Sequence, residues 1–335
     1  MSDLFNKLLI LRTPGIGPAK YMALLARFGS VSEAVEFLKP DQELKDCVNY
    51  EMDAADKLNI IYLSDDDERY PKKLFDIKNH VPILTVRGNL STLSKDLISI
   101  VGTRHASIAG ANFIARLSES FAMHNFTVVS GMAMGTDTAA HVGALRANGD
   151  AQTIAVLAGG ADYIWPLENE SLYYKILDRG AIVSEMTVGT KPITNNFVQR
   201  NRIIAGLAER LILGEADLKS GSMTTANFAI GYGRSVFAVP SHPSDGRSVG
   251  PNKLIKEGKA ILCTGITDFF EEKKETETEK IQSENYLLDR LGTIPVSESV
   301  LAQFVKKPIA EIKTDLIILE LQGFVKKQNG GYIKI

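Results

Sequence analysis

From Leu97 onward the chain alternates between short, largely apolar runs and amphipathic stretches of helical length, and few folds satisfy that pattern. The runs are 97–101, 127–130, 153–157, 181–184, 210–213, 236–239 and 260–262. Between them 108–124, 136–147, 171–177, 202–207 and 223–232 read as helices. Strands apolar toward both sides are buried on both faces, and strands that alternate with helices pair in parallel. The predicted fold class is therefore α/β, a parallel sheet covered by helices. In such sheets ligands bind beyond the carboxyl ends of the strands. The glycine-rich turns fall there, at Gly102, Gly131, Gly135, Gly221 and Gly250.

The flanks differ in texture. Residues 1–59 read as a small helical domain, with a Pro14-Gly15-Ile16-Gly17-Pro18 turn between helices, as in a helix-hairpin-helix or SAM-like unit. Such a turn either holds a DNA phosphate on its amides or packs two helices; Pro14 and Pro18 each remove a donor. The runs 60–63 and 82–86 read as strands and open the central domain, 60–270. Asp65-Asp66-Asp67-Glu68 between them is a solvated turn rather than a metal site. Residues 271–282 are highly charged, with 271–280 free of apolar side chains, hence a linker. Residues 283–335 carry three helical units (286–291, 297–304, 308–322) and a hairpin signal at Gln328-Asn329-Gly330-Gly331, together a winged helix. Its third helix offers Lys313 as its only basic residue, which favours a protein-contact or packing module over a reader of DNA sequence.

Bulk composition sets limits. Hydrophobic residues make up 44% of the 335, and the longest apolar runs are too short to cross a membrane. The amino terminus lacks a signal-peptide layout. Cys47 and Cys263 are too few for a disulfide framework and suit a reducing, cytoplasmic setting. Net charge is −2, but residues 97–265 hold 15 Lys+Arg against 13 Asp+Glu, a weakly basic middle. The five histidines show no metal-ligand spacing with the cysteines.

Three constellations carry the chemistry. Phe197-Val198-Gln199-Arg200-Asn201-Arg202 sets an aromatic and two guanidinium groups before an apolar helix, a platform for a base and its phosphates. Gly102-Thr103-Arg104 runs from a strand into a helix whose first amides favour an anion. Ser130-Gly131-Met132-Ala133-Met134-Gly135 repeats the design, and Asp137 and His141, four apart, are expected to share a structural hydrogen bond. A Ser130–Asp137–His141 hydrolase site is the alternative, without the G-x-S-x-G elbow. Ser220-Gly221-Ser222 and Ser248–Lys253 add hydroxyls, amides and one lysine.

In order and spacing, Ile100-Val101-Gly102-Thr103-Arg104, the 130–141 stretch, Thr153–Gly160, the 200–206 stretch, Ser220-Gly221-Ser222 and the 250–258 stretch resemble the DNA-processing protein A (DprA, also called Smf) family. The resemblance covers roughly 60–270; the flanks resemble the family's accessory domains. It implies an extended Rossmann-like fold that binds single-stranded DNA regardless of sequence, with no nucleotide cofactor and no catalysis. It also implies protection of incoming strands, loading of the RecA recombinase during natural transformation, and a homodimer. The predicted binding set is Gly102, Arg104, Ser130, Gly131, Gly135, Phe197, Arg200, Asn201, Arg202, Gly221, Ser222 and Lys253. If three arginines neutralise three phosphates, the log–log salt slope is near −2, from ~0.7 per phosphate. The chain departs from the family pattern at Met134, where many members have a basic residue. It departs also at Val198 (usually proline), at Ala158-Gly159-Gly160 and at Trp165-Pro166, where Tyr-Pro is usual. A nucleotide-processing hydrolase and a winged-helix adaptor without its own DNA pocket are the rival readings.

Overall fold

The computed structural model describes residues 3–148, 153–270 and 286–335. They divide into two compact units, Met1–Ile266 and Thr267–Ile335.

The first unit opens with four helices, α1 (Asp3–Arg12), α2 (Pro18–Phe28), α3 (Val31–Leu38) and α4 (Gln42–Lys57). Pro18 starts α2 where a missing N–H is harmless, and Gly29 ends it in the left-handed region at φ 80. Ser30 and Asp41 cap α3 and α4 through the amides of Glu33 and Leu44. Phe5, Leu8, Leu9 and Val48 share a core with Ile83, so the helices are anchored on the sheet. Lys7 is buried and reaches Asp65 at 3.0 Å and Asp66 at 2.9 Å. Those two carboxylates of the 65–68 acidic turn are thus counter-charges for a buried lysine, while Asp67 pairs with Arg69.

The sheet has nine strands among the described residues: β1 (Ile60–Ser64), β2 (Ile83–Gly88), β3 (Asp96–Val101), β4 (Phe126–Ser130), β5 (Thr153–Val156), β6 (Ala181–Ser184), β7 (Arg210–Leu213), β8 (Ser235–Ala238) and β9 (Ile261–Leu262). Their order is β1-β2-β6-β5-β4-β3-β7-β8-β9. Pairing is parallel from β6 through β9; β2 runs antiparallel to both β1 and β6. The strand order progresses from β3 to β6 on one side and from β7 to β9 on the other. The switch point therefore lies between β3 and β7, where crevices open at the strands' carboxyl ends.

The intervening helices are α5 (Ile108–Met123), α6 (Thr136–Arg146), α7 (Glu170–Arg179), α8 (Thr194–Leu207), α9 (Gly221–Gly231) and α10 (Val249–Lys256). Alternate residues of one strand meet different helices. Ile154 and Val156 share a cluster with Ile203 and Ile204 of α8, whereas Ala155 and Ile182 share one with Leu172 and Ile176 of α7. With a side-chain period of two, α7 and α8 cover opposite faces. The doubly apolar strands required this. The largest boundary difference from expectation is at α8, which begins at Thr194, not Arg202. Its first turns lack an apolar stripe because they border a cavity rather than the core.

The second unit contains a 3-10 turn at Leu288–Arg290, α11 (Glu298–Val305), α12 (Ile309–Leu321) and an antiparallel hairpin of β10 (Val325–Gln328) and β11 (Gly331–Lys334). Asn329 and Gly330 both take positive φ, as the tight hairpin turn demands. Ile312, Leu316 and Leu319 of α12 pack on Leu301, Val325 and Tyr332. Of the expected first helix, 286–291, one 3-10 turn is present; the 271–282 linker lies outside the described residues. No helix among the described residues is long and apolar enough to cross a membrane.

Candidate nucleic-acid interface

A cavity of about 310 Å³ opens at the switch point. Gly102, Thr103, Arg104 and His105 after β3 form one side, and Phe197, Val198, Arg200 and Asn201 of α8 another; Ser220, Gly221, Ser222 and Thr225 close it from the start of α9. The sequence thus brings together Gly102, Arg104, Phe197, Arg200, Asn201, Gly221 and Ser222 across more than a hundred positions. The turns after β3 and β7 and the helix α8 do it, because parallel strands deliver their following turns to the same rim.

Arg104 is exposed, with no hydrogen-bond or ion-pair partner among the described residues. Its guanidinium lies 5.3 Å from the Trp165 ring centroid and 5.4 Å from that of Phe197. The two rings meet edge to face at 4.7 Å. An arginine held by stacking keeps its N–H fork open for an anion. The first turn of α9 adds partial positive charge to the wall; Ser220 caps that helix by accepting from the Met223 amide.

Arg200 plays another part. It is 7% exposed and donates through Nη1 to the carbonyls of Gly131 and Val156, and through Nε to Asn201 Oδ1 at 3.2 Å. Burial pulls its pKa down to about 10, against the field of Asp137, so it stays charged at neutral pH. Arg200 therefore clamps the loop after β4 to β5 and contributes positive potential from the cavity's lining.

The loop after β4 is an internal cradle, which corrects the expectation that Ser130, Gly131 and Gly135 present amides to a ligand. The amides of Gly131 and Ala133 donate to Asp137 Oδ2 at 3.2 and 3.3 Å. Ser130 is fully buried and donates to the Ile100 carbonyl. A Cβ at Gly131 would lie 2.6 Å from Arg200 Nη1 and 2.7 Å from Asp137 Oδ2. Gly135, at φ +76, lets α6 approach the Thr103 and Arg104 carbonyls, 2.5 Å from where its Cβ would be. These glycines serve the packing of loop on loop. Burial raises the Asp137 pKa to about 6, opposed by Arg200 and the amides.

Asp137 and His141 do not pair. His141 is fully buried, and its Nδ1 meets Thr153 Oγ1 at 2.7 Å. That hydroxyl donates to Val128 O, so it accepts from the ring N–H. Burial lowers the His141 pKa to about 3. With Ser130 bonded to Ile100 O and His141 turned to Thr153, the Ser130–Asp137–His141 hydrolase alternative has no relay.

Arg202 is also placed differently from the expectation. At about 100° per residue, Arg200 and Arg202 project about 200° apart on α8. Arg202 Nη2 donates to both carboxylate oxygens of Glu185 at 2.6 Å, with side-chain exposures of 12% and 11%. Burial pushes the Glu185 pKa up and Arg202 opposes it. This is an internal ion pair, closed to phosphate. Lys253 sits on α10, exposed, away from the cavity's lining and 3.7 Å from Glu257. The amino end of α5 is likewise occupied: Glu215 accepts from the Ser107 amide at 2.7 Å and from its hydroxyl.

Residues missed in sequence include Trp165, His105 and Asn169. Asn169 is buried and donates to Met132 O at 2.8 Å and Thr138 Oγ1 at 2.9 Å, tying the turn after Trp165 to the loop after β4. Trp165, the only tryptophan, was the available signal.

Comparison with known proteins agrees with this architecture. The sequence model of DNA recombination-mediator protein A matches residues 61–274, and that of the DprA-like N-terminal HHH domain matches residues 2–49. Protein Smf of Synechocystis is 38% identical over 239 residues, covering 70% of this chain and 55% of that protein. Protein Smf of Escherichia coli is 34% identical over 287 residues, covering 81% and 76%. Among solved structures, DNA processing protein A of Streptococcus pneumoniae superposes with a TM-score of 0.67 at 30% identity, over 81% of this chain and 98% of that one. DNA processing protein A of Helicobacter pylori, whose structure concerns its single-stranded DNA binding mode, gives 0.59 at 28% identity, over 65% and 97%. A helical hairpin domain, a mostly parallel sheet with this cavity at its switch point, and matches along most of the chain place it in the DNA recombination-mediator protein A (DprA/Smf) family.

Proposed function

We propose that this chain binds single-stranded DNA with little regard for sequence, acting by holding the strand and not by chemistry on it. The observation that carries the proposal is the Arg104 guanidinium, free of carboxylates and lying over both the Trp165 and Phe197 rings at the cavity mouth. Phosphate pairs with the fork, the helix terminus of α9 adds attraction, and a base stacks on an aromatic ring, at ~1–3 kcal/mol per base. The H. pylori relative's single-stranded DNA binding supports this reading. In the same proposal the Gly102, Arg104, Phe197, Asn201, Gly221 and Ser222 set contacts DNA. Ser130, Gly131, Gly135 and Arg200 shape and charge the floor.

The same proposal extends to a wider role, supported by family membership: protection of incoming strands and delivery to the RecA recombinase in the cytoplasm, by a homodimer that doubles the track. Residues 60–270 would be the binding domain and 1–59 a helical accessory. The winged helix at 283–335 would be a protein-contact module. Its α12 exposes Ile317, Ile318 and Leu321, and its Lys313 and Lys327 are both paired with Glu298. A mobility shift comparing single-stranded and duplex oligonucleotides over a range of salt tests the proposal. Preference for the single strand, weakening as salt rises, is the expected result; equal or stronger duplex binding refutes it.

A further inference from the structure

A second recess of about 560 Å³ adjoins the first, and Arg104 and His105 line both. Its other walls include Met134, Trp165, Leu167 and Glu168. The recess is built rather than incidental. Trp165 is half-buried with its ring fixed edge-on to Phe197, and the turn carrying Leu167 and Glu168 is pinned through the buried Asn169. Leu167 is 72% exposed and Met134 42% exposed, so apolar side chains stand open beside an arginine. That combination suits a flat, apolar-faced, polar-edged group reached by a phosphate chain. Glu168 has no hydrogen-bond or ion-pair partner among the described residues. Its charge repels phosphate and accepts from an amino group.

We propose that this second recess takes a nucleobase from the strand held at the first cavity, packed on Trp165, with Glu168 accepting from the base's exocyclic amine. The inference rests on the single-stranded DNA reading. Arg104 holds the phosphate between the two recesses, so the base on one side enters beside Phe197 and the base on the other beside Trp165. Among pyrimidines of equal size, cytosine turns an N4 amine toward the carboxylate, whereas thymine turns its O4 acceptor. One position of an otherwise sequence-tolerant track therefore prefers cytosine over thymine.

The test is fluorescence anisotropy with full-length protein and equal-length oligo(dC) and oligo(dT). The expected wild-type preference for oligo(dC) is about fivefold, toward the low end for discrimination by a base-edge contact because Glu168 is exposed. Glu168→Ala brings that ratio close to one through loss of oligo(dC) affinity. Trp165→Ala weakens both oligomers about tenfold, and Trp165→Phe, which keeps a ring, restores most of that loss. An unchanged ratio in Glu168→Ala, or wild-type affinity in Trp165→Ala, overturns the second recess. If Arg104→Ala still weakens binding in that event, the primary reading survives. Absence of any single-strand binding by the wild type overturns both.

Discussion

Arg104 and Arg202 looked alike as phosphate ligands in the sequence, and their alanine variants should now behave in opposite ways. Arg104 is exposed and unpaired, so its removal leaves the fold intact and takes away one phosphate contact. The salt slope should become shallower by ~0.7. Affinity at fixed low salt should fall about tenfold, from ~1.5 kcal/mol for one charge-assisted hydrogen bond at a partly open site. Arg202 Nη2 meets both oxygens of Glu185, and each side chain is nearly nine-tenths covered. Its removal strands a buried carboxylate, at ~3–5 kcal/mol. For a domain of this size that lowers Tm by roughly 10 °C. Below the melting range the salt slope of Arg202→Ala should equal that of the wild type. The assays are anisotropy titrations at several salt concentrations, paired with thermal unfolding. A shallower slope in Arg202→Ala with unchanged Tm would show that Arg202 leaves Glu185 to hold phosphate, and would refute the assignment of the two faces of α8.

Three further outcomes follow from the same geometry. Gly135→Ala puts a Cβ at φ +76 and about 2.5 Å from two carbonyl oxygens, so it should cost ~1–3 kcal/mol and displace Arg104; lost DNA affinity with lowered Tm is expected, and a neutral variant refutes the close approach. His141, held neutral with a pKa near 3, makes the unfolded chain the stronger proton binder between pH 3 and 6.5, so its contribution to stability grows as pH rises through that window. Asp137, raised to about 6, has the opposite sign between its unfolded value of about 3.9 and pH 6, where stability falls as pH rises. The two slopes oppose in the wild type; in His141→Asn, unfolding free energy should fall more steeply from pH 4 to 6 than in the wild type, and an identical profile would contradict a neutral, buried His141. Finally, a chain ending at Ile266 keeps the first compact unit and should retain single-strand binding within about twofold; loss of binding would favour the adaptor reading.

Much of the architecture was readable from local pattern. Runs apolar on both faces required a parallel sheet covered on both sides, and Gly29, Asn329 and Gly330 marked turns by their tolerance of positive φ. Glycine turns at strand ends also located the rim where Gly102, Arg104, Phe197 and Gly221 meet. These features are local: strand burial, turn geometry and helix starts are set by a few neighbouring residues. The fate of individual charges was not readable. Which of Arg104, Arg200 and Arg202 is free depends on where Glu185, Asp137 and the Gly131 and Val156 carbonyls lie, and those partners come from distant segments. The amides of the loop after β4 read as free in the sequence; in the fold Asp137, on the following helix, occupies them. Trp165 gained its place only when the fold brought it against Phe197 and Arg104. Sequence determined the sheet and its rim because covalent neighbours decide secondary structure; tertiary packing alone decided which cations remain open to DNA, because desolvation and pairing are decided by whatever the chain brings alongside.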